Sequence, residues 1–385
     1  PKVDERVYCE PRLEVIMMIV FLKSTVLPWL SVILPSARAA SSISLPTLSF
    51  ALPAGFRYSS FARICAPQSA ENPENPNRMA RLRIKFNEAT QEWEASKPEE
   101  ITYEMYPLFK DKEGKAHVGS MFIGAGRMAQ SSMIKVGDYY RIYCAVWAVE
   151  TGSYRHHNYV LYSDDFGDTW NLLGELGKDF NDSPAPYGNE PKCEELPDGS
   201  VLLSSRKGHG RYFNVFHYSN FEKAEGYWDG AVATDKVEGS FLADKSTDEK
   251  FKIQNLKFGS NDTNGEVLRI GHMLFQSVPT GDKRSDVTIF YRELSTDPAT
   301  YTPTELSKGW RKLRISDRGS AYSSMCILPD GNIGIYYEEE PGGYSMVYVP
   351  INVYSVVGPI VYTGNLVDKC PICKEGKYEG IVTVE

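Results

Sequence analysis

The chain has 385 residues and a formal net charge of −8, from 42 basic and 50 acidic side chains. Hydrophobic residues make up 42% and charged residues 24%, which are ordinary globular values and exclude a disordered chain, a collagen-like repeat and a polytopic membrane protein. The acidic balance argues against a nucleic-acid partner, because that kind of binding needs a basic face. The length alone fits either a few average domains or one large all-β domain.

The first forty residues differ from the rest of the chain. A charged start, an apolar stretch and a small-x-small site follow one another in the order of a secretory signal peptide. Lys23, Pro28 and Pro35 interrupt the apolar stretch, which is shorter than the roughly 20 apolar residues of a spanning helix. We therefore expect a signal-peptide-like segment over residues 1–40 and export to the periplasm, cell surface or medium, with no stable membrane span.

Two further segments flank the main domain, which we place at residues 78–365. Residues 41–77 are rich in Ser, Ala and Pro and predict a linker or unrelated sequence, and residues 366–385 predict a C-terminal tail. The tail carries Cys370 and Cys373 as a lone C-x-x-C pair, whereas a zinc ribbon needs a second pair. We expect a disulfide or two free thiols there, and no metal.

Short strand-like runs alternate with turn signals throughout the main domain. Residues 139–146 and 333–337 are typical apolar and aromatic runs, and Pro-Asp-Gly turns at residues 197–199 and 329–331 suit tight antiparallel connections. The pattern predicts an all-β fold. By itself it leaves a sandwich, a barrel and a propeller open.

Residues 163–170 favour the propeller. They read Ser-Asp-Asp-Phe-Gly-Asp-Thr-Trp and fit S-x-D-x-G-x-T-W, the Asp box of propeller hairpins. Its Ser, Asp and Thr side chains are expected to satisfy turn backbone groups, its Gly to adopt a conformation closed to other residues, and its Trp to pack against the blade. The motif is a folding device and carries no chemistry of its own.

Four strings in the main domain extend this reading. They are Gly-Arg-x-x-Gln-Ser-Ser, Asn-Tyr-Val-Leu-Tyr-Ser-Asp-Asp-Phe-Gly, Glu-Pro-Lys-Cys-Glu-Glu-Leu-Pro-Asp-Gly and Ala-Tyr-Ser-Ser, at residues 126–132, 158–167, 190–199 and 321–324. In this order they resemble the bacterial exo-α-sialidases, or neuraminidases, of the secreted Bacteroides type. The resemblance implies a six-bladed β-propeller that releases terminal sialic acids with retention, without cofactor or metal. Its partners would be sialylated glycoproteins, gangliosides or oligosaccharides.

The resemblance assigns two catalytic residues, Tyr322 as nucleophile and Glu190 as the base that takes its proton. Physical reasoning supports a neutral nucleophile, because the carboxylate on the anomeric carbon of a sialoside repels an anionic one, and sialidases are an exception to the two-carboxylate plan. A phenol with a reference pKa of about 10 needs such a neighbouring base at neutral pH.

Three further residues are assigned to substrate binding by the resemblance. Arg206 and Arg284 match the second and third members of an arginine triad that holds the substrate carboxylate, which a guanidinium binds bidentately. Glu338 matches a carboxylate that steadies the first arginine of the triad. Nearby residues of the same type are alternatives for three of the assignments. Glu194 and Glu195 are alternatives to Glu190, and Arg211 is an alternative to Arg206. Lys283 and Arg292 are alternatives to Arg284.

The start of the family pattern is missing. A complete member begins with a Phe-Arg-Ile-Pro-like strand that supplies the first arginine, followed by an aspartate that acts as general acid and base; residues 61–67 are a faint echo of that strand. We therefore expect a propeller incomplete at its N-terminal blade or blades, and impaired activity. The alternatives are a transferase of the same fold that passes the sialyl group to a sugar acceptor, a weak or inactive propeller that binds sialic acid without cleaving it, and a non-glycosidic propeller.

Overall fold

The fold is all-β within the described part of the chain. The computed structural model describes residues 14–20, 29–32, 78–87, 89–124, 126–151, 155–176, 188–207, 210–238, 263, 265–281, 284–328, 330–340 and 345–358. These residues form five sheets and three short α-helices, α1 (Thr102–Met105), α2 (Pro303–Leu306) and α3 (Val353–Val357). No helix within these ranges is long and apolar enough to cross a membrane.

The first sheet has six strands in the order β4-β3-β1-β2-β7, with β5 paired to β3. Its strands are β1 (Glu14–Val20), β2 (Trp29–Val32), β3 (Met79–Asn87), β4 (Glu92–Ala95), β5 (Glu99–Glu100) and β7 (Gly126–Arg127). Strands β1 and β2 come from the segment predicted as a signal peptide, whose cleavage stays a prediction. The predicted linker over residues 41–77 and tail over residues 366–385, including Cys370 and Cys373, lie outside the described residues.

The second sheet follows the order β11-β10-β9-β6, with β8 paired to β9. Its strands are β6 (Val118–Ile123), β8 (Ala129–Val136), β9 (Tyr139–Glu150), β10 (His156–Ser163) and β11 (Asn171–Leu172). The turn of residues 163–170 joins β10 to β11. Within it the Asp165 carboxylate accepts bonds from Ser163 Oγ at 2.8 Å and from the Thr169 backbone N–H at 2.8 Å. Side chains thus satisfy turn groups, and Trp170 is buried.

The remaining three sheets carry the predicted site residues. The third runs β12-β13-β14-β15, with β16 on β14, the fourth runs β17-β18-β19-β20, and the fifth runs β21-β22-β23. Their strands are β12 (Asn189–Glu195), β13 (Val201–Arg206), β14 (Arg211–Asn220), β15 (Glu225–Trp228), β16 (Val232–Ala233), β17 (Val267–Ile270), β18 (Met273–Gly281), β19 (Ser285–Glu293), β20 (Arg311–Arg314), β21 (Ser320–Ile327), β22 (Ile333–Glu339) and β23 (Ser345–Ile351).

Four apolar layers hold successive sheets together. They include Met79 and Met121 from the first and second sheets, Ala145 and Leu203 from the second and third, Leu202 and Leu274 from the third and fourth, and Phe275 and Ile335 from the fourth and fifth. Sheets stacked face to face in chain order are the arrangement of propeller blades. The described chain is therefore an all-β propeller with five blades; a sixth blade stays a prediction.

The inner strands of these sheets converge. Strand β12 contacts β9 of the second sheet and β17 of the fourth, and β21 contacts β18 and the short strand β7. Residues of β12 and β21 therefore meet near the axis of the propeller although they are far apart in sequence.

Candidate active site

Tyr322 lies at a β-bulge in the innermost strand of the fifth sheet. The register between β21 and β22 shifts there, so that Ala321 and Tyr322 together oppose Glu338. The Tyr322 backbone N–H donates to Oε2 of the Glu338 side chain at 3.1 Å. Bulges re-aim side chains next to functional sites, and this one turns the phenol toward β12.

Glu190 also lies at a register shift. In the pairing of β12 with β13 it is the extra residue between Asn189 and Pro191. Its backbone N–H donates to Asn189 Oδ1 at 2.8 Å, and its side chain is only 11% exposed. Tyr322 and Glu190, which are predicted to act together, thus each lie at a register shift in an otherwise regular strand.

The two bulges bring the side chains into direct contact. The Tyr322 hydroxyl donates to Glu190 Oε1 at 2.8 Å. Arg206, the last residue of β13, donates from Nη1 to Glu190 Oε2 at 2.5 Å and to the Tyr322 hydroxyl oxygen at 3.3 Å. One guanidinium therefore touches both members of the pair.

Arg284 approaches the same phenol from the fourth sheet. Its Cζ lies 5.6 Å from the centroid of the Tyr322 ring, within the range of a cation–π contact. Arg284 has a left-handed backbone with φ of 56°, and its carbonyl oxygen accepts the Ser320 backbone N–H at 2.6 Å. This bond ties the start of β19 to the start of β21 and places the second cation beside Tyr322.

The surroundings keep the phenol protonated. Burial, followed by the charge of Glu190 and its hydrogen bond, raises the pKa of Tyr322 well above its usual value, while Arg206 and Arg284 oppose that rise. At neutral pH the phenol is therefore a neutral group that donates to a carboxylate. That is the arrangement needed for a nucleophile that becomes reactive only as it gives up its proton.

Four of the five predicted residues thus converge, and the fifth contacts Tyr322 through the backbone. The Glu338 carboxylate accepts the Tyr322 N–H, so it holds the bulge. Its predicted partner, a first arginine, has no identified counterpart in the sequence.

The competing carboxylates and arginines have other partners. Glu194 forms an ion pair with Arg127, and Glu195 lies 3.5 Å from Arg269. Arg211 donates to Ser204 Oγ at 3.0 Å, and Arg292 donates to the Glu305 carbonyl oxygen at 2.6 Å. Lys283 lies outside the described residues. These described neighbours therefore bond to groups other than Tyr322 and Glu190, whereas the predicted residues contact that pair.

Sequence reasoning missed a group of charged residues beneath this site. It comprises the buried side chains of Lys192 on β12 and of Glu266 just before β17, together with the partly buried Arg127 on β7. Residues 126–132 and 190–199 are two of the recurring strings, so the sequence draws attention to Arg127 and Lys192 but assigns them no role. Glu266 carried no signal, because its partners are distant in sequence.

The part of the chain that the structure describes holds no group of three or more His, Cys, Asp or Glu side chains arranged to bind a metal. The chemistry available at the site is a phenol, a carboxylate and two guanidinium groups.

No family model matches the chain. In sequence it is similar to a curated sialidase of Micromonospora viridifaciens, with 28% identity over 187 residues, which is 47% of this chain and 24% of that protein. The chain thus matches about a quarter of the length of this relative.

Solved structures with a similar backbone include two further proteins of this kind. The intramolecular trans-sialidase of Ruminococcus gnavus, in complex with oseltamivir carboxylate, has a TM-score of 0.46 and 17% identity over 72% of this chain and 51% of that one. The Trypanosoma rangeli sialidase, in complex with 2,3-difluorosialic acid, has a TM-score of 0.47 and 16% identity over 74% of this chain and 40% of that one. The similarity in sequence to the curated enzyme confirms the predicted resemblance of this chain to the sialidase family.

Proposed function

We propose that the protein is an exo-α-sialidase that hydrolyses terminal sialic acids of glycoproteins, gangliosides or oligosaccharides with retention. One observation carries the proposal: the Tyr322 hydroxyl donates to Glu190 at 2.8 Å, and Arg206 bonds to both. A buried phenol paired with a carboxylate and flanked by cations suits a substrate that itself bears a carboxylate at the reacting carbon.

The first half-reaction forms a covalent sialyl–tyrosine linkage, an aryl ketoside, at the anomeric carbon. The Tyr322 oxygen attacks that carbon while its proton passes to Glu190, and the bond to the leaving oxygen breaks, which takes a proton from solvent. Water then attacks the same carbon and loses one proton to solvent, the bond to Tyr322 breaks, and the first proton returns from Glu190 to the phenol oxygen. Two inversions at one carbon give net retention.

The arginines bind the substrate carboxylate in this proposal. Arg206 and Arg284 approach the phenol from the third and fourth sheets. Planar guanidinium groups bind a carboxylate through paired hydrogen bonds, which fixes the anomeric carbon against the nucleophile.

The sequence identifies no acid/base residue, and without one we expect a strong dependence on the leaving group. General acid catalysis contributes about 10²- to 10⁴-fold, and an aryl leaving group needs it far less than a sugar. We expect measurable hydrolysis of a fluorogenic aryl sialoside and turnover of a sialylated oligosaccharide lower by a factor of that order. Equal rates on both substrates would contradict this and would point to an acid that is not yet identified.

Tyr322→Phe tests the nucleophile on the same fluorogenic substrate. We expect it to abolish turnover, because the variant has no oxygen to form the covalent bond. Tyr337→Phe is the matched control, since Tyr337 is a buried tyrosine of the neighbouring strand whose hydroxyl donates to Glu339 at 3.0 Å. Loss of turnover in both variants, or in neither, would contradict the assignment. Binding of sialic acid without any turnover would support the alternative, a sialic-acid-binding propeller.

Export is part of the proposal and rests on the signal-peptide-like pattern of residues 1–40. Fractionation of a bacterial host that expresses the chain tests it. Protein confined to the cytoplasm, with its N-terminus intact, would contradict export.

A further inference from the structure

A second set of contacts joins the two catalytic strands directly beneath the Tyr322–Glu190 pair. Ser324 follows Tyr322 by two positions on β21, and Lys192 follows Glu190 by two positions on β12. Both side chains contact the same carboxylate, that of Glu266, which lies just before β17. We call Lys192, Glu266 and Ser324 the Glu266 cluster.

One oxygen of Glu266 receives all of these contacts. Oε2 accepts the Ser324 hydroxyl at 3.1 Å and the Arg127 backbone N–H at 3.2 Å, and it lies 3.7 Å from Lys192 Nζ. The side chains of Glu266 and Lys192 are 1% and 2% exposed. Burial of two charges is expensive unless both are paired, so this contact is held firmly once formed.

The backbone of Glu266 is itself fixed by the fourth sheet. Its N–H donates to Ser277 Oγ at 2.9 Å. Its carbonyl oxygen accepts the Ser277 backbone N–H at 2.8 Å and the Gln276 side-chain amide at 2.9 Å. The carboxylate therefore projects from a rigid support toward β12 and β21.

The close approach of Gly126 shows how tightly the cluster is enclosed. A Cβ at that position would lie 2.6 Å from Glu266 Oε2, 2.6 Å from Lys192 Nζ and 2.9 Å from Ser324 Oγ. Its φ of 111° is also a conformation that other residues rarely adopt. Only glycine allows the backbone of β7 to cover the three groups.

From this geometry we propose that Glu266 is a positioning residue, which holds β12 and β21 at the separation that lets Tyr322 bond to Glu190. It acts through Lys192 on the strand of the base and through Ser324 on the strand of the nucleophile. Its effect on turnover rests on the proposed sialidase function, whereas its effect on the Tyr322–Glu190 contact does not.

Ser324→Ala tests the proposal with a matched control on the next residue. Ser323→Ala removes a hydroxyl from β21 that does not touch the Glu266 carboxylate. Its bond at 2.8 Å goes to Ser277 Oγ, and its removal leaves both bonds between Ser277 and the Glu266 backbone in place. A displacement of about 1 Å at reacting groups costs up to about 10²-fold in rate, so we expect kcat to fall about 10- to 100-fold in Ser324→Ala and less than about threefold in Ser323→Ala, with KM little changed in both. Glu266→Gln is expected to lower kcat at least as much as Ser324→Ala does. The double variant should have nearly the same kcat as Glu266→Gln alone, because both changes break the same contact.

A second readout does not depend on activity. The Cζ resonance of Tyr322 in carbon-13-labelled protein, assigned by its loss in Tyr322→Phe, reports the hydrogen bond of the phenol. We expect it to move in Ser324→Ala and Glu266→Gln and to stay in place in Ser323→Ala. If Glu266→Gln does not fold, the Tyr322 resonance in Ser324→Ala and Ser323→Ala is sufficient to test the proposal.

The two readouts separate failure of this proposal from failure of the proposed function. If the wild type hydrolyses no sialoside but the resonance shifts as expected, the sialidase function fails and the positioning role stands. If the resonance moves in neither serine variant, or equally in both, the positioning role is wrong whether or not the protein is active.

Discussion

The apolar layers between the sheets and the polar groups near the axis are built on different principles. The layers consist of fully buried hydrophobic side chains such as Leu161, each of which stabilises the fold by removal of apolar surface from water. The axis holds charges in contact, among them the partly buried Arg127 with Glu194 and the fully buried Lys192 with Glu266. Well-packed hydrophobic residues often replace such pairs without loss of stability. We infer that the layers determine whether the chain folds, whereas the axis determines where the reacting groups stand.

After Tyr322→Phe, the largest effect is expected from Glu190→Gln, which removes the proton acceptor and keeps the shape of the side chain. Loss of a general base costs about 10²- to 10⁴-fold in kcat. The thermal midpoint should change little, because an amide oxygen still accepts the Tyr322 hydroxyl. Steady-state kinetics on a fluorogenic sialoside, with circular dichroism melting beside it, checks both expectations. A variant that keeps more than about a third of wild-type kcat would remove Glu190 from the mechanism.

A smaller effect is expected from Arg206→Ala, which should weaken the affinity of the protein for sialic acid. Truncating one member of a buried charge pair with an anion costs at least about 2 kcal/mol, which is about thirtyfold in affinity. Titration calorimetry with sialic acid measures it. Arg83→Ala is the control, because Arg83 pairs with Asp168 in the turn of residues 163–170, away from the site. Equal affinity in the two variants would contradict a role of Arg206 in holding the carboxylate.

The smallest effect on activity is expected from Leu161→Ala, in the layer between the first and second sheets. Such truncations of buried leucine cost about 2–5 kcal/mol of unfolding free energy. We expect a lower urea midpoint with an unchanged kcat below the unfolding transition. A large fall in kcat of the still-folded variant would show that the layers and the axis are not separable.

Local motifs predicted much of the site, and long-range contacts account for the rest. Tyr322 and Glu190 lie in two of the recurring strings, and the resemblance to the family assigns Arg206 and Arg284, so the sequence alone predicted all four. Their convergence depends on pairs such as Tyr322 and Glu190, which are 132 positions apart. The bulges are likewise invisible in sequence, because a register shift depends on the partner strand.

The first sheet shows a different limit. The apolar run of β1 lies within the segment that predicts a signal peptide, and its backbone pairs with β3. A short apolar run fits an h-region or a buried strand equally well by composition. The all-β fold was therefore predictable, whereas the number of blades was not.

Trapping of the covalent intermediate tests the central claim most directly. A 2,3-difluorinated sialic acid loses fluoride without protonation, so it reacts with the nucleophile even where no general acid is present. The account predicts that intact mass rises by one 3-fluorosialyl group, that peptide mapping places the group on Tyr322, and that Tyr322→Phe stays unmodified. A stable adduct on another residue, or none at all under conditions where an aryl sialoside is hydrolysed, would contradict the assignment of Tyr322 as nucleophile.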